Sequence, residues 1–382
     1  MTTDQKFMLK AIALAKKGFP FAMPNPLVGA ILIKNNRIIG SGYHKKYGGP
    51  HAEICALKQA GSRAKGATLY VTLEPCNHWG KTPPCAKAIA ESGIKRAVIA
   101  SKDPNPSVDG NGIKYLRRNG IKISAGVCAQ EAQAINLPFL KTVTSKKPFV
   151  VLKSASTLDG KIADSNGRSK WITSQGARTL VHKIRSCFDA ILVGAQTIIS
   201  DDPDLGSHGK GRDPVSIIID PRLRMPPNSK VLRKRTRAIV FMNSKTLKSK
   251  RLDAFKSANA QFIGIPADSR RGLNLNKILN ILFRKGIQTL IVEGGGETHS
   301  HFTENKLFDE MILFISPKII GGRQAKTLIE GKGLAINNAV CLPNIRTKQL
   351  KFGDIVMHAC MNSETLFWQI LSDIIFPEHG SK

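Results

Sequence analysis

The sequence predicts two α/β domains in tandem, and three observations carry that prediction. At 382 residues the chain is too long for one ordinary domain and suits two. Short apolar runs bounded by turn residues alternate with helically spaced segments on both sides of KTVTSKKP (141–148), which is polar, basic and ended by proline and reads as a linker. The apolar fraction of 42% can fill two cores, while no apolar run approaches the ~20 residues of a membrane span.

In the first domain, residues 4–17 place Met8, Ala11, Ile12 and Ala15 at helical spacing, with Thr3 or Asp4 as N-cap. Pro24-Asn25-Pro26 then forces an extended turn. Strands at Leu27–Ile33 and Arg37–Gly42 flank Asn35-Asn36, a pair that tolerates positive φ and suits a hairpin. A helix carrying His51 and Glu53 runs to about Ala60, and Ala67–Leu73 is a short strand ending in Glu74-Pro75-Cys76. Pro83 and Pro84 suit the start of a helix to about Ser92, which puts Cys85 in its first turn. A strand at Arg96–Ala100, a helix at Gly112–Asn119 and a strand at Ile121–Ser124 complete a mixed sheet sandwiched by helices.

His51, Cys76 and Cys85 form the chemical centre of this domain. An imidazole and two thiolates are three ligands of the kind Zn²⁺ takes, leaving a fourth tetrahedral position for water. Zinc lowers the pKa of bound water to about 7. Glu53, two residues from His51, is free to carry a proton from that water to a leaving amine. Three ligands plus a non-ligating Glu are the pattern of zinc deaminases. The alternative is a closed structural zinc site with Cys55 or His78 as fourth ligand, but it leaves Glu53 without a task. Cys55 shares a helical face with His51, but a cysteine there is more often a small apolar core residue than a ligand.

The second domain begins with a strand at Phe149–Lys153 and a turn near Asp159-Gly160. Trp171-Ile172-Thr173 opens a helix over 174–185, and buried-type strands follow at Ala190–Gly194 and Ser216–Ile219. Further strands are expected at Ala238–Met242 and Ala260–Ile265, a helix at Lys277–Lys285 and a strand at Leu290–Val292. Alternating strands and helices indicate a sheet covered on both faces. The strand leads into Glu293-Gly294-Gly295-Gly296. Glycines there let backbone N–H groups approach an anion and the next helix adds its dipole, although a bare helix-start turn reads the same way.

Seven irregularly spaced cysteines fit reduced metal chemistry better than a disulfide framework. No apolar leader follows Met1, so a cytoplasmic protein with no membrane contact is expected. The net charge of +31 is spread over both halves rather than gathered in one block. With three Trp and four Tyr there is little stacking surface, so no nucleic-acid partner is expected. A homo-oligomer is compatible with everything in the sequence.

PNPLVGA (24–30), GYH (42–44), HAE (51–53) and TLEPCNHWGKTPPC (72–85) resemble the deaminase half of bacterial bifunctional riboflavin-biosynthesis enzymes, and residues 1–145 look like the cytidine deaminase fold. Nucleic-acid deaminases close the cysteine pair as P-C-x-x-C, so the long loop here argues against a tRNA adenosine-type enzyme. LKSASTLDGKIA, WIT, VGAQTI, DDPDL, IIID and VEGGGE, in that order, resemble the reductase half of the same family, with a dihydrofolate-reductase-like fold over 148–360. The resemblance implies two reactions on phosphorylated pyrimidines. A zinc-dependent hydrolysis removes the 2-amino group of a phosphoribosylamino-diaminopyrimidinone, and NADPH then reduces the ribosyl group to ribityl. It also implies site residues. Asn25 contacts the pyrimidine. Ala155, Trp171, Thr197 and the loop Gly295, Gly296, Glu297, Thr298, His299, Ser300 and His301 line NADPH. Lys153, Ser169, Thr173, Arg185, Asp201, Leu205 and Glu293 line the reductase substrate.

Two departures from the family pattern stand out. DDPxLTVR reads DDPDLGSH over 201–208, so His208 replaces an arginine expected to hold the ribose phosphate, with Lys210 and Arg212 close behind. An imidazole does that work only while protonated. Residues 361–382 form an extension in which Leu366, Ile370 and Ile374 suit a short amphipathic helix.

Overall fold

The computed structural model describes residues 1–79, 83–105, 108–268 and 272–361. The helix expected around Leu366, Ile370 and Ile374 lies outside them. The described chain forms two compact units that meet in sequence between Lys146 and Lys147.

The first unit opens with α1 (Thr3–Lys16). Its N-cap is Thr2 rather than Thr3 or Asp4, because Gln5 sits three residues on and closes a reciprocal capping box with Thr2. The sheet contains β1 (Gly29–Lys34), β2 (Arg37–Tyr43), β3 (Thr68–Leu73), β4 (Arg96–Ser101) and β5 (Lys122–Ala125), in the spatial order β2-β1-β3-β4-β5. β1 runs antiparallel to β2 and β3, while β3, β4 and β5 are parallel. Asn35 and Asn36 turn the β1–β2 hairpin with φ of 50° and 58°, as their short polar side chains allow. Alternate residues of β1 enter different cores. Ala30 and Leu32 pack with α2 (Ala52–Ala60), α3 (Cys85–Glu91) and α4 (Asn111–Arg118), whereas Ile31 and Ile33 pack with α1 and α5 (Ala129–Ala134). α2 lies very close to the sheet: a Cβ on Gly42 would sit 2.4 Å from the Ala52 carbonyl oxygen.

The stretch expected as linker is mostly α6 (Leu137–Ser145), started by Pro138 at its first turn and closed by Lys146 at φ 55°. Asn136 just before it exchanges hydrogen bonds with the Leu27 backbone, its Oδ1 accepting at 2.7 Å and its Nδ2 donating at 2.9 Å. Polar composition suggested a linker, but the buried Pro138 and Thr142 give the segment a packing face.

The second unit is built on nine strands: β6 (Phe149–Thr157), β7 (Ala190–Gly194), β8 (Val215–Ile219), β9 (Ala238–Asn243), β10 (Ala260–Ile265), β13 (Thr289–Val292), β14 (Glu310–Ser316), β15 (Asn344–Gln349) and β16 (Ile355–Cys360). A separate two-stranded ladder pairs β11 (Ala267–Asp268) with β12 (Gly272–Leu273). The spatial order β10-β9-β8-β7-β13-β6-β14-β16-β15 is parallel as far as β14, after which β16 and β15 run antiparallel. Helices α7 (Gln175–Arg185), α8 (Ala195–Asp201), α9 (Leu275–Arg284) and α10 (Gly296–Glu304) connect the strands. The neighbours β7, β13 and β6 present their carboxyl ends together, where open α/β sheets bind ligands.

Candidate active sites

In the first unit, His51 is the N-cap of α2 and Cys85 the first residue of α3, while Cys76 follows the end of β3. The potential ligand atoms of His51, Cys76 and Cys85 all lie within 4.8 Å of one another. His51 Nδ1 is 3.2 Å from Cys85 Sγ and 3.6 Å from Cys76 Sγ. Among the described residues, neither Cys55 nor His78 joins this group. A borderline-soft donor set of two sulfurs and one imidazole nitrogen, of which His51 and Cys76 line a cavity with Cys85 buried behind them, fits zinc with one position open.

The electrostatics agree with such a site. A hydrogen bond from Cys85, reinforced by His51 against the cost of burial, holds the Cys76 thiol well below the usual thiol range. The backbone N–H of Cys85 also donates to Cys76 Sγ at 3.4 Å. Glu53 is 3% exposed, and burial pushes its carboxyl up to about 7.

The same cavity is lined by Asn25, His44, Glu53, Asp103 and Asn105. Asp103 and Asn105 were not singled out from sequence. They follow β4, and the only local signal was D-P-N after a strand. His44, quoted only as part of GYH, is 3% exposed and bonds Asn25. The loop behind Asp103 is anchored by Glu74, whose buried carboxylate accepts the N–H groups of Gly110 at 3.0 Å and Ile113 at 3.1 Å. A Cβ on Gly112 would lie 1.9 Å from the Pro75 carbonyl oxygen, so α4 packs directly on the metal-bearing turn.

In the second unit, Glu293 follows β13 and its carboxylate holds two cations. Arg185 grips it bidentately at 2.8 and 3.0 Å, and Lys153 Nζ lies 3.2 Å away. Burial would raise the Glu293 carboxyl, but Arg185 and Lys153 outweigh it and hold it at about 2. Lys153 itself is lowered, because its burial and the nearby Arg185 outweigh its share of one carboxylate. Lys153 and Ala155 face the same side of β6, both half-buried. Ser169 donates to Asp201 at 3.2 Å, and the Thr173 carbonyl accepts from Arg178 at 2.7 Å. The Arg178 guanidinium lies over the exposed Trp171 ring, 4.2 Å from its centre. Thr197 is half-buried in the first turn of α8, and Leu205 is buried with φ 61°.

The glycine-rich turn does less ligand work than its sequence suggests. A Cβ on Gly296 would meet Glu330 Cγ and the Thr327 carbonyl, each at 2.5 Å, so this glycine admits a neighbouring chain segment. Thr298 fills the space beside Gly194 and Gly294. His299, 1% exposed, points inward between the carbonyls of Val292 and Leu328, and Ser300 bonds Glu304 at 2.9 Å. The side chains of His299 and Ser300 are therefore committed to the interior. A Cβ on Gly295 would meet nothing within 4 Å, Glu297 is exposed and His301 is half-buried. An open backbone at the start of α10 fits a dinucleotide phosphate through main-chain donors.

His208 is exposed and stacks on His182 at 4.1 Å between ring centres, with Nε2 3.8 Å from Asp204 Oδ1. His182 was not singled out from sequence. Burial, followed by His208, lowers it to about 4. Arg212 is tied to Asp189 at 2.8 Å, which removes it as a ready stand-in for the missing arginine.

Fold and sites define the class: a cytidine-deaminase-type zinc domain followed by a reductase domain. The zinc-binding region of cytidine and deoxycytidylate deaminases matches residues 1–101, and the RibD C-terminal domain matches 148–352. The riboflavin biosynthesis protein RibD of Aquifex aeolicus is 44% identical over 320 residues, covering 83% of this chain and 88% of its own length. The solved RibD of Acinetobacter baumannii superposes with TM-score 0.83 at 34% identity, over 94% of this chain and 99% of that one. A Thermotoga maritima structure described as a diaminohydroxyphosphoribosylaminopyrimidine deaminase/5-amino-6-(5-phosphoribosylamino)uracil reductase gives 0.78 at 37%, over 94% and 98%. The chain belongs to the RibD family of bifunctional enzymes of riboflavin biosynthesis, a zinc-dependent deaminase joined to an NADPH-dependent reductase. Among the described residues no helix is long and apolar enough to cross a membrane.

Proposed function

We propose that the chain hydrolyses the 2-amino group of 2,5-diamino-6-(5-phosphoribosylamino)pyrimidin-4(3H)-one and then reduces the product's ribosyl group to ribityl with NADPH. The observation that carries the reading is the His51, Cys76 and Cys85 trio at a cavity that also holds Glu53 and Asn25. Those three residues would hold zinc, which would supply Lewis acidity and a more acidic water. Glu53, a neighbour that is not needed as ligand, moves the proton to the departing amine. Asn25 orients the pyrimidine edge through its side-chain amide.

In the reductase half, NADPH supplies the hydride and the protein supplies position. Glu293 fixes Arg185 and Lys153 as a paired cationic wall for a phosphorylated, hydroxyl-rich sugar. Ser169, Thr173, Asp201 and the backbone at Leu205 complete that wall. His208 supplies the outermost contact to phosphate. Ala155, Trp171, Thr197 and the open backbone at Gly295, at the start of α10, flank the cofactor. The reading includes a cytoplasmic setting, small-molecule substrates and no nucleic-acid partner; the long loop between Cys76 and Cys85 disfavours a tRNA deaminase.

Incubation with the diaminopyrimidinone, with and without NADPH, tests this. Deaminated product is expected without NADPH and the ribityl compound with it. Unchanged substrate in both tubes would overturn the reading.

A further inference from the structure

The loop that departs from the family pattern is held in an unfavourable backbone state. Leu205 has φ 61°, a region that a bulky residue adopts only when its surroundings compel it, and Asp202 and His208, residue types that tolerate that region, flank it at 39° and 50°. The source of that compulsion lies elsewhere in sequence. Lys234, in the segment between β8 and β9, is half-buried against the loop with its side chain 12% exposed. Its Nζ donates to the Asp204 carbonyl at 3.1 Å and lies 3.4 Å from Asp204 Oδ1 and 3.5 Å from Asp213 Oδ2.

Those two carboxylates tie down the loop from both ends. Asp204 Oδ1 accepts from the Gly206 N–H at 2.9 Å, and Asp213 Oδ1 accepts from the Ser207 N–H at 2.8 Å. A Cβ on Gly206 would lie 2.5 Å from Asp204 Oδ1 and 2.9 Å from Lys234 Nζ, so the clamp closes directly over this glycine. Lys234 is fixed in turn, since Asn259, directly before β10, donates to its carbonyl at 2.9 Å. On its other side the loop meets the substrate wall, where the Gly206 carbonyl accepts from Arg185 Nη1 at 3.2 Å.

We propose that Lys234 is a positioning residue of the reductase: its ammonium, clamped between Asp204 and Asp213, holds the 204–208 loop against Arg185 and so sets the sugar-phosphate subsite. The inference rests on the reductase reading above. Lys234 touches neither substrate nor cofactor; it acts through the loop. A free lysine would leave two carboxylates facing each other beneath a strained loop, and the loop would then relax away from Arg185.

The experiment uses the full chain: an unchanged NADPH KM reports an intact reductase unit, and deamination calibrates the amount of protein in the same sample. In Lys234→Met the reductase KM for the deaminated phosphoribosylamino substrate should rise about tenfold or more, as expected for lost charged hydrogen bonds. The NADPH KM and the deamination rate should stay within about twofold, and Lys234→Arg should restore most of the loss. An unchanged substrate KM, or an NADPH KM that rises in step with it, overturns the proposal. If Lys234→Met does not accumulate, Asp213→Asn tests the same clamp from its solvent side, and a rise confined to the substrate KM is again required. A wild type that fails to reduce the substrate sinks the reductase reading alone. The clamp is then read from amide hydrogen exchange over 204–213, which Lys234→Met must accelerate if the proposal holds.

Discussion

His44 Nε2 lies 3.0 Å from Asn25 Nδ2, and His44 Nδ1 lies 3.0 Å from the Pro50 carbonyl oxygen. A carbonyl only accepts, so Nδ1 carries the hydrogen and Nε2 is the acceptor for the Asn25 amide. Asn25, which lines the cavity, thus spends one amide N–H on His44; in the function proposed above, its Oδ1 is left to accept an N–H of the pyrimidine.

Asn25→Asp should therefore fail although it keeps that oxygen. A second oxygen would face the His44 lone pair, and losing one hydrogen bond while opposing two acceptors costs about 2 kcal/mol, or roughly thirtyfold in deaminase kcat/KM. Steady-state deamination decides it. Activity equal to wild type would show that the amide orientation is irrelevant.

Glu53→Gln should lower deamination by about 10³-fold or more while zinc content, measured on the purified chain, stays near one per chain. Burial already tolerates a neutral group at this position, since it is burial that pushes the carboxyl up. Loss of zinc would mean that Glu53 serves the ligands rather than the reaction.

The Glu293 pair is a buried one, so breaking it from one side should be severe. Glu293→Gln leaves Arg185 and Lys153 facing a neutral amide, at a cost of about 3–5 kcal/mol. Reductase activity and the reductase unit's thermal transition should both fall, with deamination retained. A transition within a degree or two of wild type would contradict this.

Acid should destabilise the second unit in two windows. His182 is a base whose folded pKa is lowered from 6.5 to about 4, so the unfolded chain protonates first and stability falls as pH drops through that interval. Glu293, lowered from 4.5 to about 2, contributes stability that is present above 4.5 and is lost as pH falls toward 2. Denaturant unfolding of the full chain, followed by reductase activity between pH 7 and pH 5, should show the first window. Its persistence in His182→Phe would assign it to another group.

His208→Arg should lower the reductase substrate KM at pH 8 by about tenfold, because a guanidinium stays charged and grips phosphate bidentately. The NADPH KM should not follow. Equal substrate KM in the two proteins would remove His208 from the phosphate subsite.

Much of the chain could be read without coordinates, for local reasons. His51, Glu53, Cys76 and Cys85 sit at element ends marked by prolines and by apolar runs, and their spacing alone restricts what chemistry they share. The hairpin at Asn35-Asn36 and the strands through β10 followed from period and turn chemistry. β15 escaped because it is exposed on both faces and so carries no apolar alternation. α6 escaped because its packing face is partly polar.

Tertiary structure decided what depends on distant partners. The sequence allowed all three glycines of 294–296 to cradle an anion; packing against Thr298, Thr327 and Glu330 leaves only Gly295 open. Arg212 and His208 look interchangeable along the chain, but Asp189 holds the first and His182 stacks on the second. Lys234 carried no sequence signal at all, being one cation in a run of basic residues. A side chain's chemistry is written in its residue type, but its role depends on which groups share its few ångströms of desolvated space. Residues 30 and more apart meet there only once the sheets have formed.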